Sequence, residues 1–135
     1  MTKPMFTQIY DKTFRQQYLW VRAKSSAEFL TMLETKVHNV KDLTDPEDKE
    51  ADGECLALTI DGSSVMCFWF NEKEPSTIVH ELLHCVFACM RSRNINLSED
   101  SEETFCYSLS FLYSSVLEVF AEERKKARKP LTKKK

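Results

Sequence analysis

Glycine is scarce in this sequence: only Gly53 and Gly62 occur among 135 residues. A Walker-type phosphate loop and a G-x-G-x-x-G dinucleotide turn both need several glycines at fixed spacing, so neither can be present. The G-x-S-x-G nucleophile elbow of serine hydrolases is excluded for the same reason. Long apolar runs are also lacking, since the longest, VMCFWF and its neighbours, is well short of the about 18 residues that a membrane span needs. We therefore expect no phosphate-cradling loop and no membrane partner.

The composition is that of one folded domain, with 42% hydrophobic and 11% aromatic residues. The net charge is only −2, from 19 basic and 21 acidic residues, but these are unevenly distributed. Residues 124–135 hold eight Lys or Arg and no acid, so residues 1–123 keep eleven basic and all 21 acidic residues and carry a charge of −10. We predict a single acidic domain over 1–123 and a basic, flexible tail over 124–135, which could contact nucleic acid or another polyanion.

Cysteine usage favours a reducing compartment. The five cysteines are an odd number and fall in segments that are typical of strand or helix interiors. The N-terminal residues MTKPMFTQIYDKTFRQQ contain no apolar signal core. We expect a cytoplasmic protein, which would lie in the host cytoplasm if a phage encodes it.

The pattern of apolar residues predicts an α+β fold with about three strands and three helices. Residues 13–23 favour a strand, and a helix capped by Ser25 or Ser26 should follow to about Val37. Residues 42–54 are acidic, lack a period and favour a surface loop. Two strands, 55–60 and 64–70, flank Asp61-Gly62, a strong hairpin signal.

Two longer helices should complete the domain. Pro75 suits the first turn of a helix that runs to about Arg93, where Asn94 can end it. The last helix should begin near residues 98–101 and continue to about Arg124. We expect the small antiparallel or mixed sheet to pack on the first of these two helices, with the other two helices around it.

The residues His80-Glu81-Leu82-Leu83-His84 form an H-E-x-x-H pattern inside the helix predicted to begin at Pro75. Successive helical residues turn by about 100°, so His80 and His84 lie one turn apart on the same side and can bind one metal ion. Glu81 lies about 100° further round, where its carboxylate can reach a metal-bound water without binding the metal. This spacing predicts a catalytic zinc site.

Catalytic zinc normally has three protein ligands and an open position. The metzincin continuation H-x-x-G-x-x-H is absent, because Phe87 and Met90 stand where it needs Gly and His. Two adjacent acidic residues, Glu102 and Glu103, lie roughly twenty residues downstream at the start of the last predicted helix, and periodicity alone does not choose between them. Glu103 could instead complete an Asp-x-x-Glu capping box with Asp100.

The segment that contains HELLH and EETFCY resembles the small zincin-like metallopeptidases of bacteria and phages known as minigluzincins. In that family the active-site helix is followed by a helix that contains E-x-x-x-Y. The resemblance implies that His80, His84 and Glu103 bind zinc, that Glu81 is the catalytic base, and that Tyr107 matches the trailing tyrosine. Tyr107 could then donate a hydrogen bond to a developing oxyanion.

The resemblance also implies a place for the substrate. In zincins the strand before the active-site helix borders the cleft and pairs with an extended peptide, which predicts substrate contacts at Val65, Met66, Cys67 and Phe68. The expected reaction is hydrolysis of a peptide bond in a peptide or protein substrate, with restricted specificity because the chain lacks a second lobe. Two alternatives remain open: a zincin scaffold that binds a partner with weak or no cleavage, and a nucleic-acid-associated, SprT-like protease that uses the basic tail. The sequence does not predict the oligomeric state.

Overall fold

A computed structural model describes residues 5–37 and 52–128 of the chain. These residues form an α+β domain with one mixed four-stranded sheet and three helices, in the strand order β1-β2-β4-β3. The elements are β1 (Phe6–Asp11), β2 (Gln16–Val21), α1 (Ser26–Leu33), β3 (Gly53–Ile60), β4 (Ser63–Phe70), α2 (Pro75–Ser92) and α3 (Glu102–Arg128). Strands β2 and β4 pair in parallel, whereas β1–β2 and β3–β4 are antiparallel. The α+β class is confirmed, with four strands instead of about three.

The first strand was not expected from the sequence. Instead of one strand over 13–23, the chain forms a hairpin of β1 and β2, with the pairing of Asp11 and Gln16 nearest the turn. The Asp11 carboxylate accepts a hydrogen bond from the Thr13 N–H at 2.9 Å, and Arg15 has a positive φ of 52°. Burial alternates from Gln8 to Asp11 in the edge strand β1, but Asp11 is buried and Tyr10 is exposed, so the sequence does not show the apolar–polar alternation that identifies a strand.

The hairpin of β3 and β4 confirms the Asp61-Gly62 prediction. Ile60 pairs with Ser63, which leaves a two-residue loop, and Asp61 and Gly62 have φ angles of 50° and 82°. Two successive positive φ values are those of a type I′ turn, whose twist matches that of the flanking strands. The predicted surface loop at 42–54 lies almost wholly outside the described residues, and β3 begins at Gly53.

The ends of α1 and α2 follow local chemistry. Ser25 caps α1 by accepting a hydrogen bond from the Glu28 N–H at 3.1 Å, and the helix ends at Leu33, four residues before the predicted end. Helix α2 has Pro75 in its first turn and is followed by Asn94 at φ 58°. The Ile95 N–H bonds the Met90 carbonyl at 2.9 Å, which completes a Schellman motif. The predicted bounds of α2 are confirmed to within one residue.

Helix α3 begins at Glu102, just after the predicted start, and reaches Arg128, four residues beyond the predicted end. The first residues of the basic segment are therefore helical, and 129–135 lie outside the described residues. By length and composition alone α3 could span a membrane, although core helices of soluble proteins meet the same test. Phe105, Leu112 and Val116 are buried against the rest of the domain.

The sheet is covered on both faces. Met66, Phe68 and Phe70 of β4 point to the face that packs against α2 and α3. The alternate residues Val65, Cys67 and Trp69 point to the opposite face, in a second cluster that includes Phe29 and Leu33 of α1. Strand β4 is therefore buried from Val65 to Phe70. Helix α2 packs one face against the sheet and leaves His80 and His84 exposed on another.

Candidate metal centre

The two histidines of α2 converge at the surface of the helix. His80 and His84 are both exposed, and their Nε2 atoms are 3.3 Å apart. The ring centres are separated by 4.8 Å and the planes by 78°. The adjacent helical turns place both imidazoles over the same point, as the sequence predicts. At this distance one neutral ring can also donate a hydrogen bond to the other.

The separation of these nitrogens fits a shared zinc ion. Two ligands at about 2.0–2.1 Å from zinc with a tetrahedral angle between them lie about 3.3–3.4 Å apart. The observed distance between His80 Nε2 and His84 Nε2 is 3.3 Å. Imidazole nitrogen is also a preferred zinc donor. Geometry and donor chemistry therefore both fit zinc at this point.

Glu81 lies beside the histidines but is buried. Its side chain is 9% exposed, compared with 66% for His80, and its Oε2 is 3.8 Å from His80 Nε2. Burial raises the pKa of the Glu81 carboxyl, the charge of His80 opposes this rise, and the charge of Glu54 adds to it. The carboxyl group thus lies close to the imidazoles, with its proton affinity raised above that of an ordinary glutamate.

Close contact with β3 explains the burial of Glu81. A β-carbon at Gly53 would lie 2.3 Å from Glu81 Cγ and 2.9 Å from its Oε2. With Glu81 in this position, only a residue without a side chain fits there, because real β-carbons do not approach other atoms so closely. The first residue of β3 is therefore shaped to admit the carboxyl group of α2.

The three motif residues line one open cleft of about 800 Å³ between α2 and β3. Its other lining residues come from the start of β3 and from the exposed side of α2: Asp52, Gly53, Glu54, Cys55, Ala57, Ser76, Thr77, Ala88 and Arg91. Asp52 and Glu54 place acidic groups at the N-terminal end of β3, and Arg91 places a basic group at the C-terminal end of α2. The cleft is large enough for a short stretch of extended peptide.

The residues predicted on α3 do not line this cleft. Glu102 and Glu103 form the exposed first turn of α3, and the Tyr107 side chain is 71% exposed. Within residues 5–37 and 52–128, no three His, Cys, Asp or Glu side chains are grouped so that they could hold a metal ion. The histidine pair is thus formed, while the third ligand and the role of Tyr107 stay predictions. Asp100 lies two residues before α3, and Ser101 directly precedes it.

The predicted substrate strand is not at an edge of the sheet. Val65, Met66, Cys67 and Phe68 lie in β4, which pairs with β2 on one side and β3 on the other. All four residues are at most 9% exposed. A strand that is hydrogen-bonded along both sides cannot add a peptide, so this prediction is wrong. In the described part of the chain, β3 is the edge strand next to α2.

Sequence reasoning missed the contribution of β3 to the site. Strand and hairpin patterns predict that residues 55–60 pair with 64–70, but they do not predict which strand borders the helix. Gly53 was assigned to a loop, although a lone glycine next to a strand can also mark a close approach of two chain segments. That was the only local signal for this wall of the cleft.

In comparisons with known proteins, no protein-family model, no curated protein and no solved structure matches this chain.

Proposed function

We propose that this chain is a zinc-dependent metallopeptidase that hydrolyses a peptide bond with restricted specificity in the cytoplasm. The observation that carries the proposal is the pair of Nε2 atoms of His80 and His84, 3.3 Å apart, in a cleft that also contains the buried Glu81. A helix that presents two convergent imidazoles and a carboxyl group beside an edge strand provides most parts of a zincin-type site. The resemblance to minigluzincins supports the same function.

Zinc would be held by the two imidazoles and one carboxylate. His80 and His84 supply two nitrogens from α2, and we assign the third ligand to Glu103, in the first turn of α3, with Glu102 as the alternative. Helix α3 packs against α2, so Glu103 belongs to a helix that is in contact with the helix of the two histidines. When bound, zinc supplies Lewis-acid polarisation of a carbonyl group and of water.

Glu81 is the proton-transfer group of the proposed reaction. Its carboxylate lines the cleft beside His80, where it can accept a proton from an attacking water and return the proton to the leaving amine. Burial raises the pKa of the Glu81 carboxyl above that of an ordinary glutamate, which makes its carboxylate a stronger base. Contact with Gly53 limits the positions that the carboxyl group can occupy.

An extended substrate would lie along β3. Within residues 5–37 and 52–128, β3 pairs with β4 in the sheet, and we propose that the substrate peptide adds as a further strand along its other edge. Strand addition would bring the scissile bond past the histidines, because β3 and α2 form the two walls of the same cleft. The cleft has no second lobe in the described part of the chain, and we therefore expect few protein substrates.

The decisive experiment compares metal content and cleavage in the same preparations. Wild-type protein and E81Q should bind one zinc ion each, whereas H84A should bind none. Wild-type protein should cleave a susceptible sequence from a peptide library, and E81Q should lose on the order of 100-fold or more of this activity, as expected for removal of a general base. E118Q, an exposed change on α3 outside the cleft, is the matched control and should behave as wild type.

The same series separates the peptidase from a scaffold that only binds a partner. A binding protein would keep its whole function in E81Q, because its zinc site and surface are unchanged. Failure of wild-type protein to bind zinc after supplementation would overturn both functions.

The basic segment supports a second role, in contact with nucleic acid. Arg124, Lys125, Lys126 and Arg128 are exposed at the C-terminal end of α3, and four more lysines follow within 129–135. We propose a salt-sensitive contact with a polyanion, as in a SprT-like protease. Replacing all eight basic residues of 124–135 by Gln should abolish binding to DNA or RNA at low salt; equal binding by both proteins, or none by the wild type, would exclude this role.

A further inference from the structure

Two cysteines meet at the base of the cleft. The Sγ atoms of Cys55 on β3 and Cys85 on α2 are 3.0 Å apart, and both cysteines are free thiols. This distance exceeds a disulfide bond by only about 1 Å. Cys85 is fully buried, whereas Cys55 is half-buried and lines the cleft. Cys55 therefore borders the cleft, from which we infer that a small oxidant can approach its sulfur, and the buried Cys85 sulfur lies in contact with it.

We propose that Cys55 and Cys85 are an oxidative modification site, at which hydrogen peroxide forms an intramolecular disulfide that joins β3 to α2. The proposal depends on the contact between the two sulfurs and not on peptidase activity. Such bonds occur in cytosolic proteins as transient responses to oxidants.

The reaction is a two-electron oxidation in two steps. The Cys55 sulfur attacks one peroxide oxygen, the O–O bond breaks, and the products are Cys55 sulfenic acid and water. The Cys85 sulfur then attacks the Cys55 sulfur, the S–O bond breaks, and the oxygen leaves as a second water with the proton of the Cys85 thiol. The two thiol hydrogens and one peroxide molecule thus yield the disulfide and two waters.

The other cysteines do not offer this arrangement. Cys67 points to the opposite face of the sheet, among residues that pack on α1. Cys89 is buried and accepts a hydrogen bond from Arg93 Nη1 at 3.3 Å. Cys106 is exposed on α3. Among the described hydrogen bonds and contacts, Cys55 and Cys85 are the one pair that combines sulfur contact with access from the cleft.

The bond would connect the two walls of the cleft beside the metal centre. Cys85 directly follows His84, and Cys55 lies two residues after Gly53, which contacts Glu81. Oxidation would therefore fix β3 against α2 at the point where the motif residues stand. It would also close a loop of about 30 residues, which stabilises the folded state by limiting the unfolded chain.

The test treats full-length protein with hydrogen peroxide, before and after removal of metal by a chelator, and then alkylates the remaining thiols. Peptide mapping by mass spectrometry should find Cys55 linked to Cys85, with a mass lower by two hydrogens, and dithiothreitol should reverse the link. The oxidised protein should have a Tm higher by on the order of 5–10 °C.

Two variants keep the result specific. C55S should form no link and show no rise in Tm on oxidation, and C106S should behave as wild type. Recovery of Cys55 as a sulfinic acid, as a link between two molecules, or as an unmodified thiol while Cys106 is oxidised would overturn the proposal.

Discussion

The backbone of Gly53 packs directly on the side chain of Glu81, and a β-carbon at position 53 would lie 2.3 Å from Cγ and 2.8 Å from Cδ of that glutamate. The missing side chain at Gly53 thus leaves the space that the Glu81 carboxyl group occupies against β3. The same strand contributes Glu54 and Cys55 to the cleft. The edge strand β3 and helix α2 are therefore in direct contact at this point, and a change in β3 acts on Glu81.

G53A should reduce peptidase activity without reducing zinc binding. The added methyl group has no room, so either Glu81 changes its rotamer or β3 shifts away from α2. Displacing the general base should cost on the order of 100-fold in kcat, and overpacking should cost about 1–3 kcal/mol of unfolding free energy. Peptide cleavage, zinc content and urea denaturation measure the three quantities.

The other glycine provides the matched control. G62A places a methyl group in open space but at a φ of 82°, which is strained for alanine and should cost roughly 1–2 kcal/mol. Because the hairpin turn lies outside the cleft, G62A should keep full activity. An equal loss of activity in both variants would show that destabilisation, rather than displacement of Glu81, explains the effect of G53A.

Removing Glu103, the proposed third zinc ligand, should weaken metal binding more than removing Glu102. We expect E103A to lower zinc affinity by more than the roughly 10- to 100-fold that loss of an outer-shell partner costs, and E102A to lower it little. Competition with a chromogenic chelator measures both affinities. E54A tests the carboxylate of β3 that lines the cleft and should retain zinc. The opposite order of E102A and E103A would assign the ligand to Glu102.

Much of the fold could be predicted because its local signals are strong. The Asp61-Gly62 turn, the Ser25 cap and the Pro75 and Asn94 limits of α2 depend on backbone chemistry within a few residues. The sequence does not predict β1, because a charged residue, Asp11, is buried and an aromatic one, Tyr10, is exposed in this edge strand, which hides its alternating burial. The strand order was also out of reach, because β2 and β4 pair across a long separation in sequence.

The site could be predicted only as far as one helix extends. The spacing of His80 and His84 fixes their contact, since both belong to the same helical face. The helical position of Glu81 predicts that it lies on the flank of the site. In the structure β3 covers Glu81, and helical periodicity contains no information about that strand. The substrate strand was assigned to β4 for the same reason: sequence order names the strand before the helix, whereas pairing decides which strand has a free edge.

Arg22 joins three parts of the domain, and R22A should destabilise it strongly. Its side chain is 4% exposed and pairs with Glu72 at 2.7 Å and Glu123 at 2.6 Å. The guanidinium carbon lies 4.2 Å from the centre of the Trp20 ring. Removing the cation leaves two mostly buried carboxylates, 25% and 20% exposed, close together, which should cost about 3–5 kcal/mol in urea denaturation.

Two further variants test the cause of this loss. R22K keeps the charge but cannot bond both carboxylates with two nitrogens each, so it should recover only part of the stability. K125A removes an exposed ion pair with Glu122 and should cost less than about 0.5 kcal/mol. A loss in R22A no larger than that in K125A would contradict a structural role for the buried pair.

Alkaline pH should destabilise the protein through Cys67. Burial raises the pKa of the Cys67 thiol from 9.0 to about 12, so the folded state keeps its proton where the unfolded state loses it. The folded chain then binds more protons, and its stability falls as pH rises from about 9 to about 12, by at most roughly 1.4 kcal/mol per pH unit for this group. Urea denaturation at several pH values should show a shallower fall in C67S than in wild type. C106S, which changes an exposed thiol, should keep the wild-type slope; the same slope in C67S would show that the buried thiol does not cause the alkaline loss.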